Sequence, residues 1–93
     1  MTAEEAESLD MAILRVLDLC AGRSYGLGLL AIQAQLPRYG EYVDTDVVKR
    51  RLEYMADSEI RFAERVDKGQ FNPANASWKI TARGINHLRE RGC

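Results

Sequence analysis

The side chains of this chain that can do chemistry are cationic. Lys49, Arg50 and Arg51 are consecutive, and Arg65, Lys68 and Lys79 follow them. Ammonium and guanidinium groups set out this way can hold phosphate oxygens, a contact indifferent to base sequence whose strength falls steeply with salt. The formal net charge of −1 hides them. Residues 1–46 carry eight acidic side chains against Arg15, Arg23 and Arg38, a net −5, whereas residues 47–93 carry ten basic side chains against six acidic ones, a net +4. A near-neutral chain with this asymmetry can offer one positive surface to a polyanion. The same charges can also form an ordinary solvated surface.

Other chemistry finds little to work with. The chain has one histidine, His87, no Gly-rich phosphate loop, no nucleophile elbow and no carboxylate pair set across a pocket, so the expectation is that it is not an enzyme. Cys20 and Cys93 form neither a Cys-x-x-Cys pair nor a cluster with His87, which argues against a structural metal site and against a disulfide framework. Cys20 falls on an apolar helical stripe and reads as a small buried hydrophobe. No cofactor is expected. Asn75-Ala76-Ser77 matches a glycosylation sequon, but the N-terminus is acidic where a secretory signal is basic, and no apolar run is long enough to cross a bilayer. The expected location is cytoplasmic.

Ninety-three residues, 46% of them hydrophobic and 29% charged, suit one folded domain over 1–93, with short flexible ends at 1–7 and 91–93. Leu9, Ala12, Ile13, Val16, Leu17 and Cys20 recur at helical spacing and predict a first helix over roughly 8–21. Ser8 can cap it and Gly22 can end it, while Thr2 with Glu5 forms a capping box that would start it earlier. Met11 and Leu14 point away from the stripe, as surface residues or as part of a helix-mediated dimer contact. A second helix is predicted from Leu27 to Leu36, stopped by Pro37, with Leu29, Leu30, Ile32 and Leu36 set toward the core and Ala34 a further candidate for that face.

A third helix, capped by Asp44 or Thr45 and running to about Asp57, puts Val48, Leu52 and Met55 inward with Val47 and Tyr54 on its shoulder. Ile60 to Val66 reads as a strand and Asp67 to Asn75 as the most turn-rich loop of the chain. Ser77 to Ile80 is a second strand, with Trp78 and Ile80 on one face. Thr81 caps a last helix from Ala82 to about Arg91, with Ile85 and Leu88 inward. Trp78 belongs to the core, and Phe71 is the aromatic left in the loop.

The order helix, helix, helix, hairpin, helix is α+β, mostly helical, and the chain resembles the winged helix-turn-helix family over about residues 9–90. Three stretches carry the resemblance: Leu27 to Leu36, the helix Thr45-Asp-Val-Val-Lys-Arg-Arg-Leu-Glu-Tyr-Met-Ala, and Trp78-Lys-Ile-Thr-Ala-Arg-Gly-Ile-Asn-His-Leu. In the last, Ile80-Thr81-Ala82-Arg83-Gly84 is similar to the way many winged-helix regulators leave their wing: Thr81 caps the helix and Gly84 lets it approach the body closely. The spacing is also similar to that of small winged-helix proteins of Mu-like prophages. One departure stands out, because many relatives carry a glycine between recognition helix and wing where this chain has Ser58-Glu59.

The resemblance implies a three-helix cluster, a β-hairpin wing at 66–76 and a transcriptional regulator. It would bind duplex DNA through helix 44–57 and the wing, as a homodimer on two-fold symmetric sites. The DNA-contact set it implies is Thr45, Lys49, Arg50, Arg51, Arg65, Lys68 and Lys79. Against this, the outer face of the third helix also holds Asp46, Glu53 and Asp57, and Asp46–Arg50 and Lys49–Glu53 are spaced to pair with each other. The alternative is a winged-helix module that presents the same face to a protein partner.

Overall fold

The computed structural model describes residues 2–19, 26–66 and 77–92. Of the features named above, Cys20, Gly22, the loop 67–76 with Lys68 and Phe71, and Cys93 lie outside the described residues.

Helix α1 is Ala3–Leu19. Of the two possible starts, the earlier is the one used: the Glu5 amide donates to Thr2 Oγ1 at 3.1 Å, and the Thr2 hydroxyl donates to the Glu5 carboxylate at 3.3 Å. Residues 3–7, expected as a flexible end, are therefore helical, as are Arg91 and Gly92 at the other end. The longer helix also corrects the position of Leu14, which is fully buried, and of Met11, which packs partly against the core. The buried arc of α1 is wider than a single stripe because α3, α4 and a strand all pack on it. That removes Leu14 from any surface contact between copies.

Strand β1, Leu27–Gly28, occupies a place where the sequence predicted helix. It pairs antiparallel with a strand far along the chain, Leu27 opposite Trp78 and Gly28 opposite Ser77. Just before it, Gly26 sits at φ +69°, and a Cβ there would lie 2.6 Å from the Trp78 carbonyl oxygen. Glycine is required on both counts. Helix α2, Leu29–Gln35, then starts two residues later than predicted, and its buried residues are Leu29 and Ile32, joined by Leu36 just beyond. Leu30, expected in the core, is 74% exposed, and Ala34 also faces outward. Pro37 does not simply stop the helix: it occupies the first turn of a 3-10 segment, Leu36–Tyr39, which closes on Gly40 in the left-handed region at φ +82°.

Helix α3 is Thr45–Met55, with Val48, Leu52 and Met55 fully buried. Asp44 stands at its N-cap position without a side-chain cap bond, and the helix ends two residues short of Asp57. The chain then folds back on itself. Glu59 N–H donates to Asp57 Oδ1 at 2.9 Å, Arg61 N–H to the Asp57 carbonyl at 2.8 Å, and Phe62 N–H to the Met55 carbonyl at 2.8 Å. These bonds hold Ile60 to Phe62 in a turn, so β2 begins at Ala63 rather than Ile60 and runs to Val66. Within this turn Arg61 takes the left-handed region, at φ +51°.

Strand β3, Ser77–Ile80, lies between the other two in the order β1-β3-β2, all antiparallel. Its register against β2 sets Ala63 opposite Ile80, Glu64 opposite Lys79 and Arg65 opposite Trp78. Helix α4, Ala82–Gly92, follows after Thr81. The Gly84 amide donates to Thr81 Oγ1 at 3.1 Å, the Thr81 hydroxyl donates to the Arg61 carbonyl, and Thr81 N–H donates to the Phe62 carbonyl at 3.1 Å. One threonine thus caps α4 and ties it to the α3–β2 turn. Phe62 in that turn stacks on His87 of α4, ring centroids 4.2 Å apart. A single buried cluster draws on all four helices, β2 and β3. The described residues thus form an α+β fold of four helices and a three-stranded antiparallel sheet, and no helix among them is long and apolar enough to cross a membrane.

Candidate nucleic-acid interface

With Val48, Leu52 and Met55 buried, the helical repeat turns Asp46, Arg50, Glu53 and Tyr54 outward, with Thr45 and Lys49 half-buried on the shoulder. Lys49 Nζ lies 4.0 Å from Glu53 Oε1, a loose pair across one turn of exposed helix. Arg50 is exposed and has no ion-pair partner among the described residues. The outer face therefore mixes two cations with three carboxylates, Asp46, Glu53 and the following Asp57.

Arg51 does not belong to this face. Its Nε and Nη2 donate to the two carboxylate oxygens of Asp10 at 2.7 and 2.6 Å, a bidentate bridge from α3 to α1. The guanidinium also lies over the Tyr54 ring, 4.4 Å from its centroid. Asp10 is 8% exposed, the only buried charged residue among those described. The hydrogen bond to Asp10, more than its charge and against the opposing effect of burial, holds Arg51 protonated above its ordinary range. Arg51 is thus a structural cation committed to Asp10.

The strand residues are divided by the sheet. Directly opposed residues project to the same side, so Arg65 shares the side of Trp78, while Lys79 shares the other side with Glu64. Lys79 Nζ is 3.0 Å from Glu64 Oε1, a cross-strand pair. Arg65 and Lys79, which the sequence set in one patch, therefore address different surfaces, and Arg65 is itself engaged in an interaction.

Arg65 instead borders a cleft of about 480 Å³ between the end of α3, β2 and the start of α4. Arg61 and Arg83 line the same cleft, with Ala56, Glu64 and Thr81. Sequence reasoning counted both arginines in the basic half but gave neither a role, because only the turn at Arg61 and the placement of α4 bring them together. Among the described residues, no three His, Cys, Asp or Glu side chains are grouped to hold a metal ion.

Compared with known proteins, the chain matches no family model, no curated protein and no solved structure.

Proposed function

We propose that this chain is a winged helix-turn-helix domain that binds duplex DNA, with α3 toward the major groove and the β2–β3 hairpin as its wing. The observation that carries this reading is a conjunction in the fold. The β2–β3 hairpin follows an α2–turn–α3 unit, β1 just before α2 completes an antiparallel sheet in the order β1-β3-β2, and α3 buries Val48, Leu52 and Met55 while it turns Arg50 and the flank of Lys49 to solvent. Thr81 and Gly84 support the same reading, since they do the two jobs the wing-exit motif implies. The contact set differs from the one the sequence suggested. Thr45, Lys49 and Arg50 remain on α3, Arg51 is withdrawn to Asp10, and of the strand cations Arg65 stays on the α3 side of the sheet while Lys79 does not. Two copies on a two-fold site would supply the area that one small module lacks.

A duplex of mixed sequence, titrated across a salt series, tests the reading. Binding should weaken steeply with salt, and Lys49→Glu with Arg50→Glu should abolish it. A folded sample that binds no duplex at 20 to 50 mM salt, on the order of the lowest salt such series use, turns the reading toward a protein partner. Two observations favour that second reading: Leu30 on α2 and Tyr42 just before α3 are 74% and 79% exposed and offer apolar contact area, and Lys49 and Glu53 form a loose pair with each other.

A further inference from the structure

The cleft at the end of α3 combines features that an ordinary solvated surface has no need of. Its lining holds three guanidinium groups, Arg61, Arg65 and Arg83, against one carboxylate, Glu64. That carboxylate is taken by Lys79 at 3.0 Å. Arg61 and Arg83 have no ion-pair partner among the described residues, and both are exposed. Arg65 is engaged in an interaction of its own, so the charge left over in the cleft is that of Arg61 and Arg83, two like charges on one concave wall that an anion between them would relieve.

Arg61 adds a separate argument. It is the one non-glycine residue among those described with φ in the left-handed region, at +51°. Glycine is the residue that fits such a position without cost, so the side chain is kept there against the local backbone preference. The residue lines the cleft, and its carbonyl accepts from the Thr81 hydroxyl.

We propose that this cleft is a phosphate-binding site, in which the Arg61 and Arg83 guanidinium forks hold phosphate oxygens. Guanidinium groups match phosphate oxygens bidentately and remain charged at every working pH. A phosphodiester of bound duplex or a free phosphate group could supply the anion. The position of the cleft favours the duplex, a step that rests on the DNA reading above. Ala56 in its wall is six residues beyond Arg50, about 9 Å along the helix axis. At that distance from Arg50, beyond the C-terminal end of α3, the cleft meets the duplex backbone if α3 lies along the groove rather than entering it end-on.

Two arms decide the matter on the full chain. In the first, inorganic phosphate is titrated against chloride and acetate at matched ionic strength while the arginine Nε–Hε resonances are followed. Arg61 and Arg83 should shift with phosphate, and Arg61→Gln/Arg83→Gln should remove the response. In the second, duplex affinity is measured across salt: that variant should lower the slope of log K against log salt by roughly 1.8, the share of two phosphate contacts. Arg61→Gly/Arg83→Gln repeats both arms with the backbone at residue 61 relaxed, so a lost response in that variant reflects lost charge rather than lost fold.

A phosphate response from a chain that binds no duplex keeps the cleft, assigns it to a free phosphate group, and removes the DNA reading alone. Duplex binding with an unchanged slope and no phosphate response overturns the cleft and leaves the DNA reading standing. Equal responses to acetate and phosphate also overturn it.

Discussion

Arg50 and Arg51 are neighbours in sequence, yet a helix turns about 100° from one to the next, so one meets water and the other meets Asp10. The sequence reading kept Arg51 among the contact residues because its partner is not local; α1 supplies it, forty-one residues earlier. Removing one partner of this bridge leaves a largely buried charge unpaired. Asp10→Ala is expected to cost about 2 kcal/mol of unfolding free energy in urea titrations, and Arg51→Met in that background should recover part of it. A cost no larger than that of an exposed ion pair would mean that the bridge is decorative. Arg51 is raised above its ordinary pKa, so its contribution is fully present below the unfolded value and is lost only as pH rises past it, at strongly alkaline pH. Its titration should therefore add no slope to stability between about pH 6 and 9. Arg61 is the opposite case, a side chain kept at a conformational cost. Arg61→Gly should raise stability by about 0.5 to 1 kcal/mol, the relief of the left-handed strain less the added freedom of the unfolded chain. An unchanged or lowered melting temperature would show that position 61 carries no net strain.

At the scale of elements, α4 is the one that local sequence specified best. Thr81 and Gly84 are three residues apart, and both of their jobs are done within or beside that span, so a short motif was enough to find them. The structure adds what Gly84 avoids: a Cβ there would stand 2.1 Å from the Phe62 carbonyl oxygen and 2.7 Å from Ile80 Cγ1. The backbone of the α3–β2 turn cannot yield that distance, so Gly84→Ala should cost about 3 kcal/mol or more. Thr81→Ala removes the cap and the tie to Arg61 and should cost about 1 to 2 kcal/mol. Chemical denaturation of the two variants checks the order, and a milder Gly84→Ala than Thr81→Ala would contradict the close approach. The start of α2 was not legible, for a converse reason. Leu27 and Gly28 are drawn into a sheet by Trp78 and Ser77, partners about fifty residues away in sequence. That pairing delays the helix, whose inward face keeps Leu29, Ile32 and Leu36 as expected but is too narrow to include Leu30, about 100° round the helix from Leu29. β2 starts late for a local reason, as the Asp57 turn uses the residues whose β-propensity suggested a strand.

Over the whole molecule, the two halves of opposite charge in the sequence do not become two faces. Glu7 pairs with Arg91 and Asp10 with Arg51, so α1 neutralises cations from the basic half across the α1–α4 and α1–α3 contacts. The exposed cations that remain are dispersed, with Arg50 on α3 and Arg61 and Arg83 in the cleft among them, and this is why charge counting alone raised a positive surface without finding its residues. Those cross-links also make the fold depend on α1, which packs against α3, α4 and β3 around one core. Leu14 tests that dependence. Buried fully rather than exposed between copies, it should behave as a core residue: Leu14→Ala should cost about 3 kcal/mol with no change in oligomeric state by sedimentation. The chain supplies its own second probe, since Trp78 is its single tryptophan, buried in β3 with its indole N–H lacking an acceptor among the described residues. With one core shared by helices and sheet, the loss of helical circular dichroism and the change in Trp78 emission should trace one urea transition in the parent and in Leu14→Ala alike, shifted to lower urea in the variant. Separate midpoints would mean that the sheet and the helices unfold as independent units, and that α1 does not organise the sheet it touches.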